Sequence, residues 1–229
     1  MKKKLVVLSG AGISAESGIQ TFRDSDGLWE GHNVMDVATP EGYRKNPSLV
    51  LDFYNKRRQQ LLTVQPNEAH FILAELENYF DVQIITQNVD DLHERAGSSN
   101  VLHLHGELLK VRSTNNHNHI IDWKTDLLDS DKDENGFHLR PHIVWFGEEV
   151  PALEEAIQLT TEADFFLVIG TSLQVYPAAG LIDFVPENSI IYYIDPKPIK
   201  IPNLRNKLVV FTNNASEGMR LLKEDLVAN

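Results

Sequence analysis

Residues 10–23 read Gly10-Ala11-Gly12-Ile13-Ser14-Ala15-Glu16-Ser17-Gly18-Ile19-Gln20-Thr21-Phe22-Arg23 and follow a short apolar run, Leu5 to Leu8. A buried strand that ends in a glycine-rich loop points to a nucleotide. Gly10 and Gly12 have no Cβ, so the backbone can turn sharply and come close to a pyrophosphate. Ala15 completes the G-x-G-x-x-G/A spacing with a side chain small enough for the turn to pack on the sheet. Free N–H groups at the start of a following helix would face the anion. Read alone, the same residues also fit an ordinary glycine turn.

A dehydrogenase reading fails a few residues later. In that fold a second strand ends in an acidic residue for the ribose, about 20 residues past the glycines. Here the stretch is Gly27-Leu28-Trp29-Glu30-Gly31-His32-Asn33, which offers Glu30 but no apolar run for a strand. The site is not built for hydride transfer in the usual way.

Six apolar, β-branched or aromatic runs read as buried strands: Leu5 to Leu8, Val82 to Thr86, Val101 to Leu104, Phe165 to Ile169, Ile190 to Ile194 and Leu208 to Phe211. Helical patterns lie between several of them, one after Pro66 and one after Pro151, each Pro suiting a first helical position. The expected fold is α/β, a Rossmann-like doubly wound parallel sheet of about six strands. Residues 1–30, 77–110 and 143–229 would form this nucleotide-binding domain. Residues 31–76, mostly helical, and 111–142, polar and without a clear strand run, would form a smaller inserted module.

The 229 residues, 42% hydrophobic, suffice for one large domain or one with an insert. A formal net charge of -12 argues against nucleic acid and anionic membrane as partners, because neutralising phosphates needs a Lys/Arg surplus. Lys56-Arg57-Arg58 is the candidate for a local basic patch. Cysteine is absent, which excludes disulfides, thiolate metal sites and a cysteine nucleophile. Met1-Lys2-Lys3-Lys4 looks like a signal-peptide n-region, yet the apolar run after it is too short for an h-region, and no other stretch approaches a membrane span. A cytoplasmic protein is the expectation, with the oligomeric state open.

After the second strand comes Thr86-Gln87-Asn88-Val89-Asp90-Asp91-Leu92-His93. Carboxyl ends of parallel strands are where such sheets bind ligands, and Gln87 and Asn88 can both donate and accept, which suits ribose hydroxyls or a carboxamide. A helix N-cap at Asn88 or Asp90 is the competing reading. After the third strand, His103-Leu104-His105-Gly106 places two histidines on one face, and His105, at the strand end, is the candidate base.

Taken in order, Gly10-Ala11-Gly12-Ile13-Ser14 with Phe22-Arg23, Thr86 to Asp90, His105-Gly106, Pro141-His142-Ile143-Val144-Trp145-Phe146-Gly147-Glu148 and Gly170-Thr171-Ser172-Leu173 resemble the motifs of sirtuins, the NAD-dependent protein-lysine deacylases. The resemblance spans nearly the whole chain and implies that NAD is consumed as co-substrate. Residues from Gly10 through Ala15 to Phe22 and Arg23 would form the cofactor loop, with Trp29 on the same side. Asn88, Val89 and Asp90 would hold the nicotinamide end and Gln87 the ribose. Gly170, Thr171, Ser172, Asp195 and Ala215 would complete the dinucleotide site. The acyl oxygen would attack the ribose carbon as nicotinamide leaves, with Asn88 at that centre and His105 as general base on the ribose hydroxyls. Free lysine, nicotinamide and 2′-O-acyl-ADP-ribose would be the products. Val144, Phe146-Gly147-Glu148 and Val175-Tyr176 resemble the segments that clamp an extended acylated peptide as an added strand.

Asn46-Pro47 opens a helical pattern in which Tyr54 and Arg57 stand three apart on one face. Alone, Tyr-x-x-Arg is a common surface pattern. In this context it resembles the Tyr-x-x-Arg of sirtuins that remove succinyl and malonyl groups, where Arg pairs with the distal carboxylate and Tyr hydrogen-bonds to it. Ala38 resembles a small residue that leaves room for the longer acyl chain, and Gln20-Thr21-Phe22-Arg23 is also similar to that branch. An acetyl group is small enough to enter the same pocket.

Most sirtuins carry four zinc-binding cysteines in the small module. Here Ser113 stands about where the first is expected and the later pair would fall near Asp131 to Gly136, so thiolate zinc is impossible. His117, His119 and His138 read as solvated loop histidines rather than a metal set. A metal-free module packed by Ile120, Ile121, Trp123, Leu127 and Leu128 is expected. Asp195 stands where many members have Asn; it can accept from ribose hydroxyls but, ionised, cannot donate. Two further functions compete with deacylation: ADP-ribosyl transfer or NAD hydrolysis, and a non-catalytic NAD or ADP-ribose sensor. Tyr54, Arg57 and the clamp segments argue against the first, and His105 against the second.

Overall fold

A computed structural model describes residues 2–20, 28–29 and 31–228 of the chain. Thr21, Phe22, Arg23 and Glu30 lie outside the described residues, and Trp29 is described in its backbone alone.

The six apolar runs are the strands of one sheet. Numbered in chain order, they are β1 (Lys4–Ser9), β4 (Asp81–Thr86), β5 (Val101–His103), β9 (Phe165–Ile169), β10 (Ile190–Ile194) and β11 (Lys207–Phe211). They lie in the order β11-β10-β9-β1-β4-β5, and every neighbouring pair is parallel. The chain runs from β1 outward through β4 to β5, then returns to the far side of β1 and runs outward again through β9, β10 and β11. The winding thus reverses between β1 and β9, and at such a switch point the loops leave the sheet in opposite directions and open a crevice.

Alternation along the strands supplies two cores. One face carries Leu5, Val7, Ile84, Leu167 and Ile194 against Ala69, Leu73 and Leu76 of α4 (Glu68–Leu76) and Met219 and Leu222 of α7 (Ala215–Ala228). Val6, Leu8, Phe166, Val168 and Ile191 on the other meet Ala156 of α6 (Leu153–Thr161) and Leu181 and Ile182 of a 3₁₀ helix, Ala178–Phe184. The prolines sit two places further out than expected. Asn67 and Ala152 are the N-caps of α4 and α6, so Pro66 and Pro151 precede the caps rather than opening the helices. The Asn67 side chain accepts from Ala69 N–H and thereby takes the cap.

The described residues between 28 and 33 form a two-residue antiparallel ribbon, β2 (Leu28–Trp29) with β3 (His32–Asn33), and join no strand of the main sheet. Three helices follow: α1 (Val34–Val37), α2 (Pro40–Lys45) and α3 (Pro47–Thr63), the last capped by Asn46 with Pro47 in its first turn. Beyond β4 the short α5 (Leu92–Ala96) leads to β5. The polar segment does form strands, contrary to expectation. β6 (Gly106–Ser113), β7 (Ile120–Asp122) and β8 (Leu139–Ile143) make an antiparallel sheet in the order β7-β6-β8. Its strands lack clean apolar alternation because a register shift between Gly106 and Val111 breaks the two-residue period and because Arg112 and Arg140 occupy buried places. Leu51 of α3 packs on Val111, Leu127 and Leu139 with Ile121 and Trp123 beside them. Ile120 and Leu128, expected in that core, are 44% and 56% exposed. The candidate basic patch at Lys56-Arg57-Arg58 does not form as one: Arg58 is buried, bonded to the Leu108 carbonyl, and Lys56 pairs with Asp52 at 2.7 Å. No helix among the described residues is long and apolar enough to cross a membrane.

Candidate active site

The glycine loop and the loop after β9 close on each other at the switch point. Gly10 N–H donates to Ile169 O at 3.0 Å and Gly12 N–H to Gly170 O at 2.8 Å. A Cβ on Gly12 would lie 2.6 Å from the Gly170 Cα, so the glycine is required by this loop-to-loop approach as well as by any ligand. The loop continues as a 3₁₀ helix, Ala11–Ser17, in which Ile13 packs into the sheet core. Ala15, expected to make that packing, is exposed. The tighter 3₁₀ turn brings position 13 inward and leaves position 15 on the outer side.

A cavity of about 310 Å³ opens beside these loops. Gly10, Ala11 and Gly12 form one wall, with Gly170, Thr171 and Ser172 beside them, and Gln87, Asn88, Val89, Asp90 and His105 come from the ends of β4 and β5. Gln87 Nε2 donates to Thr171 Oγ1 at 3.1 Å, spanning β4 to β9 across the end of β1. Asn88 gives its amide hydrogens to Gly10 O (3.3 Å) and Ser14 Oγ (3.2 Å), so its Oδ1 is turned away from them. Ser14 Oγ passes its own hydrogen to Asp90 Oδ2 at 3.0 Å, and Leu92 N–H donates to Asp90 Oδ1. Burial pushes the Asp90 carboxyl up to about 6 in spite of those two bonds.

His105 is oriented from behind. Its Nδ1 lies 3.0 Å from Gln87 O, and a carbonyl only accepts, so Nδ1 carries the proton and Nε2 keeps its lone pair. Desolvation holds its pKa below the ordinary histidine value, so the ring is neutral. His103, its neighbour on the same face, bonds Asn88 O through Nδ1 and Glu94 through Nε2 at 2.7 Å. Burial works against its charge, but the Glu94 carboxylate outweighs burial and the pKa is raised.

The remaining wall comes from the helices and the small sheet. Tyr54 and Arg57 of α3 both line the cavity, with Ala38 after α1 and Val144, Phe146, Gly147 and Glu148 after β8. Phe146 N–H donates to Ala38 O, which ties these segments together. Arg57 lies 3.4 Å over the Phe53 ring and donates to Phe53 O. The Glu148 carboxylate is held by Arg140 at 2.6 Å and Arg112 at 3.2 Å, and accepts from Trp145 N–H, so it braces the turn at the cavity wall. Val175 and Tyr176 line the opposite side, Tyr176 being 75% exposed.

The Sir2 family profile matches residues 10–177, which include every cavity-lining segment just described. The chain belongs to the Sir2 family. The NAD-dependent protein deacylase of Helicobacter pylori is 57% identical over 225 residues, covering 98% of each chain. That of Bacteroides thetaiotaomicron is 54% identical over 231 residues, again 98% of each. A solved Sir2 homologue–NAD complex is 40% identical over 99% of this chain and 90% of its own, with a TM-score of 0.87. A Sir2–p53 peptide–NAD+ structure is 30% identical over 100% of this chain and 95% of its own, at 0.80.

Some residues assigned to the cofactor in this sirtuin stand outside the cavity. Ile13 and Ser14 lie behind its wall, and Asp195 and Ala215 are buried at the end of β10 and the start of α7. Asp195 Oδ1 accepts from Lys197 N–H. Phe22 and Arg23 are outside the described residues. Sequence reasoning missed Gln60, Leu61, Leu108, Ile143 and Trp145, which also line the cavity. Leu61 is seven positions from Tyr54 and Gln60 three from Arg57, so the helical period could have found both. Leu108 and Ile143 come together through the long-range β6–β8 pairing, which leaves no local signal.

In the small module, polar side chains close the loops around Ser113. Ser113 Oγ donates to Asp133 Oδ2 at 2.6 Å and accepts from Asn115 and Asn116 N–H, while Asp133 Oδ1 accepts from Asn135 and Phe137 N–H. Among the described residues no group of three or more His, Asp or Glu is placed to hold a metal. His119 is 3.4 Å from Glu134, and His138 bonds Asp129 O.

Proposed function

We propose that this sirtuin is an NAD-dependent deacylase that removes succinyl and malonyl groups, and acetyl groups besides, from lysines in extended segments of cytoplasmic proteins. The observation that carries the acyl part is a cation in an apolar pocket: half-buried Arg57 shares one cavity with His105 and Asn88, among Ala38, Leu61, Leu108, Ile143 and Trp145. A neutral acyl chain gives a guanidinium there nothing to pair with. A terminal carboxylate does, in a planar fork geometry.

The donor set suits the co-substrate. Amides of Gln87 and Asn88 and hydroxyls of Thr171 and Ser172 stand at the carboxyl ends of β4 and β9 beside the glycine loop, and fit a carboxamide, ribose hydroxyls and phosphates. Bound there, NAD supplies the ribosyl carbon that accepts the acyl oxygen, with nicotinamide as leaving group. Asn88, its amide nitrogen held by Gly10 and Ser14, offers Oδ1 as an acceptor. His105 takes a proton at Nε2, because Gln87 O keeps the other on Nδ1. Phe146-Gly147 and Val175-Tyr176 receive the peptide backbone between them.

Succinyl-, malonyl- and acetyl-lysine peptides incubated with NAD and read by mass spectrometry test the reading. Free lysine with acyl-ADP-ribose is expected; ADP-ribosylated acceptor or free ADP-ribose without acyl loss would mark a transferase or hydrolase, and no turnover a sensor. Arg57→Met should reduce kcat/KM for succinyl-lysine roughly ten- to a hundredfold more than for acetyl-lysine, as loss of a charged hydrogen bond of about 1.5–3 kcal/mol requires. Equal losses on both would sink the acyl assignment.

A further inference from the structure

We propose that Trp145 is a positioning residue for acyl selectivity: its indole N–H fixes the Tyr54 hydroxyl as a donor to the distal carboxylate of the acyl group. The proposal rests on the carboxyl-acyl reading above. Trp145 Nε1 lies 2.9 Å from Tyr54 Oη, both residues are buried, and both line the cavity. An indole N–H can only donate, so the phenol oxygen accepts from it. The hydroxyl hydrogen is then turned to the other side of that oxygen. Burial keeps the phenol protonated by pushing its pKa well above the ordinary tyrosine value, so the hydrogen is retained.

Each partner is itself held. The Arg140 guanidinium lies 3.4 Å over the indole ring, and the Glu148 carboxylate, gripped by Arg140 and Arg112, accepts from the Trp145 backbone N–H at 2.8 Å. Arg57, one helical turn from Tyr54, rests on the Phe53 ring. A carboxylate reaching this end of the cavity therefore meets a guanidinium and a phenol O–H whose directions are set before it arrives. Such preorganisation favours an acyl group that carries a carboxylate over one that does not. An acetyl group is too short to collect that gain.

Trp145→Phe keeps a ring under Arg140 and removes the N–H. It should lower the succinyl-to-acetyl ratio of kcat/KM roughly tenfold, the size of one charge-assisted hydrogen bond, chiefly through KM for succinyl-lysine. Tyr54→Phe should lower the ratio similarly, and the double variant no further, because both remove one device. Parallel losses on both substrates, or multiplying losses in the double variant, would overturn the proposal while leaving the acyl reading standing. A wild-type enzyme that deacetylates but never desuccinylates would overturn that reading and the proposal with it. The unmutated protein gives a second measurement should Trp145→Phe not fold. The indole N–H resonance that Tyr54→Phe displaces should shift on adding succinyl-lysine peptide and stay in place with acetyl-lysine peptide; equal responses refute the mechanism.

Discussion

At His105 a single backbone hydrogen bond decides which nitrogen can act. Gln87 O holds the proton on Nδ1, and burial keeps the ring neutral, so a base is ready without any carboxylate partner. Asp90 is the opposite case, a charge that the fold disfavours. Its folded pKa of about 6 exceeds the unfolded 3.8, so the folded state binds the proton more tightly. Stability from this group is present below about pH 4 and falls as pH rises through 6. Asp90→Asn should therefore gain on the wild type between pH 4 and pH 8, by on the order of 3 kcal/mol, in urea unfolding at the two pH values. A constant difference at both would mean that the carboxylate is not desolvated. That this acid is kept in the cavity wall in spite of its destabilisation argues for a use in ligand binding.

At the scale of elements, α3 joins two sites through its two faces. Tyr54, Arg57 and Leu61 look into the cavity, while Asn55 exchanges hydrogen bonds with the Leu127 backbone and Arg58 bonds Leu108 O and Thr125 O. The small sheet is thus fastened to the cavity by one helix. Its far end is closed by the Ser113–Asp133 knot, which accepts from four backbone N–H groups. Ser113→Ala should lower stability by about 1–3 kcal/mol, because Ser113 is fully buried and its loss takes the hydroxyl donor from Asp133 and the acceptor from Asn115 and Asn116 N–H. Chemical denaturation reads that loss, and a chelator added to the wild type should leave its melting point unchanged. Melting that a chelator lowers would show a metal at work in this module.

The whole molecule is organised by the reversal between β1 and β9, which makes the cavity where three strand ends and the helical insert meet. Below that floor lie two buried imidazoles. His70 Nδ1 accepts from Asn67 N–H in the α4 capping box, His93 lies 3.0 Å from Ser9 Oγ at the end of β1, and the two rings meet with centroids 4.9 Å apart. Burial lowers His70 to about 4 and holds His93 well below its usual value. Both folded values lie under the unfolded 6.5, so their contribution is present above pH 6.5 and is lost as pH falls towards 4, opposite in sign to Asp90. His70→Gln keeps an acceptor for the capping box and removes the titration. Between pH 6.5 and 4 it should lose less stability than the wild type, by on the order of 3 kcal/mol, and equal losses would place His70 in contact with water.

Much of this was legible in the chain, and the division has a physical cause. All six main strands, the capped start of α3, the glycine loop and the motif at the end of β4 rest on local periodicity and on residues whose chemistry is itself local. The β6–β8 sheet escaped because a register shift between Gly106 and Val111 interrupts the two-residue period and buried arginines, Arg112 and Arg140, stand where apolar residues would mark a strand. Ala15 was misplaced because the loop continues as a 3₁₀ turn, and Pro66 because Asn67 caps better. The sequence by itself therefore determined the sheet, the family and the residue types in the site. Only the tertiary structure decided the proton on His105, the binding of the Glu148 carboxylate by two arginines, and the bond from Trp145 to Tyr54, 91 positions away. Hydrogen bonds depend on direction and on removal from water, and both are set only when distant segments pack.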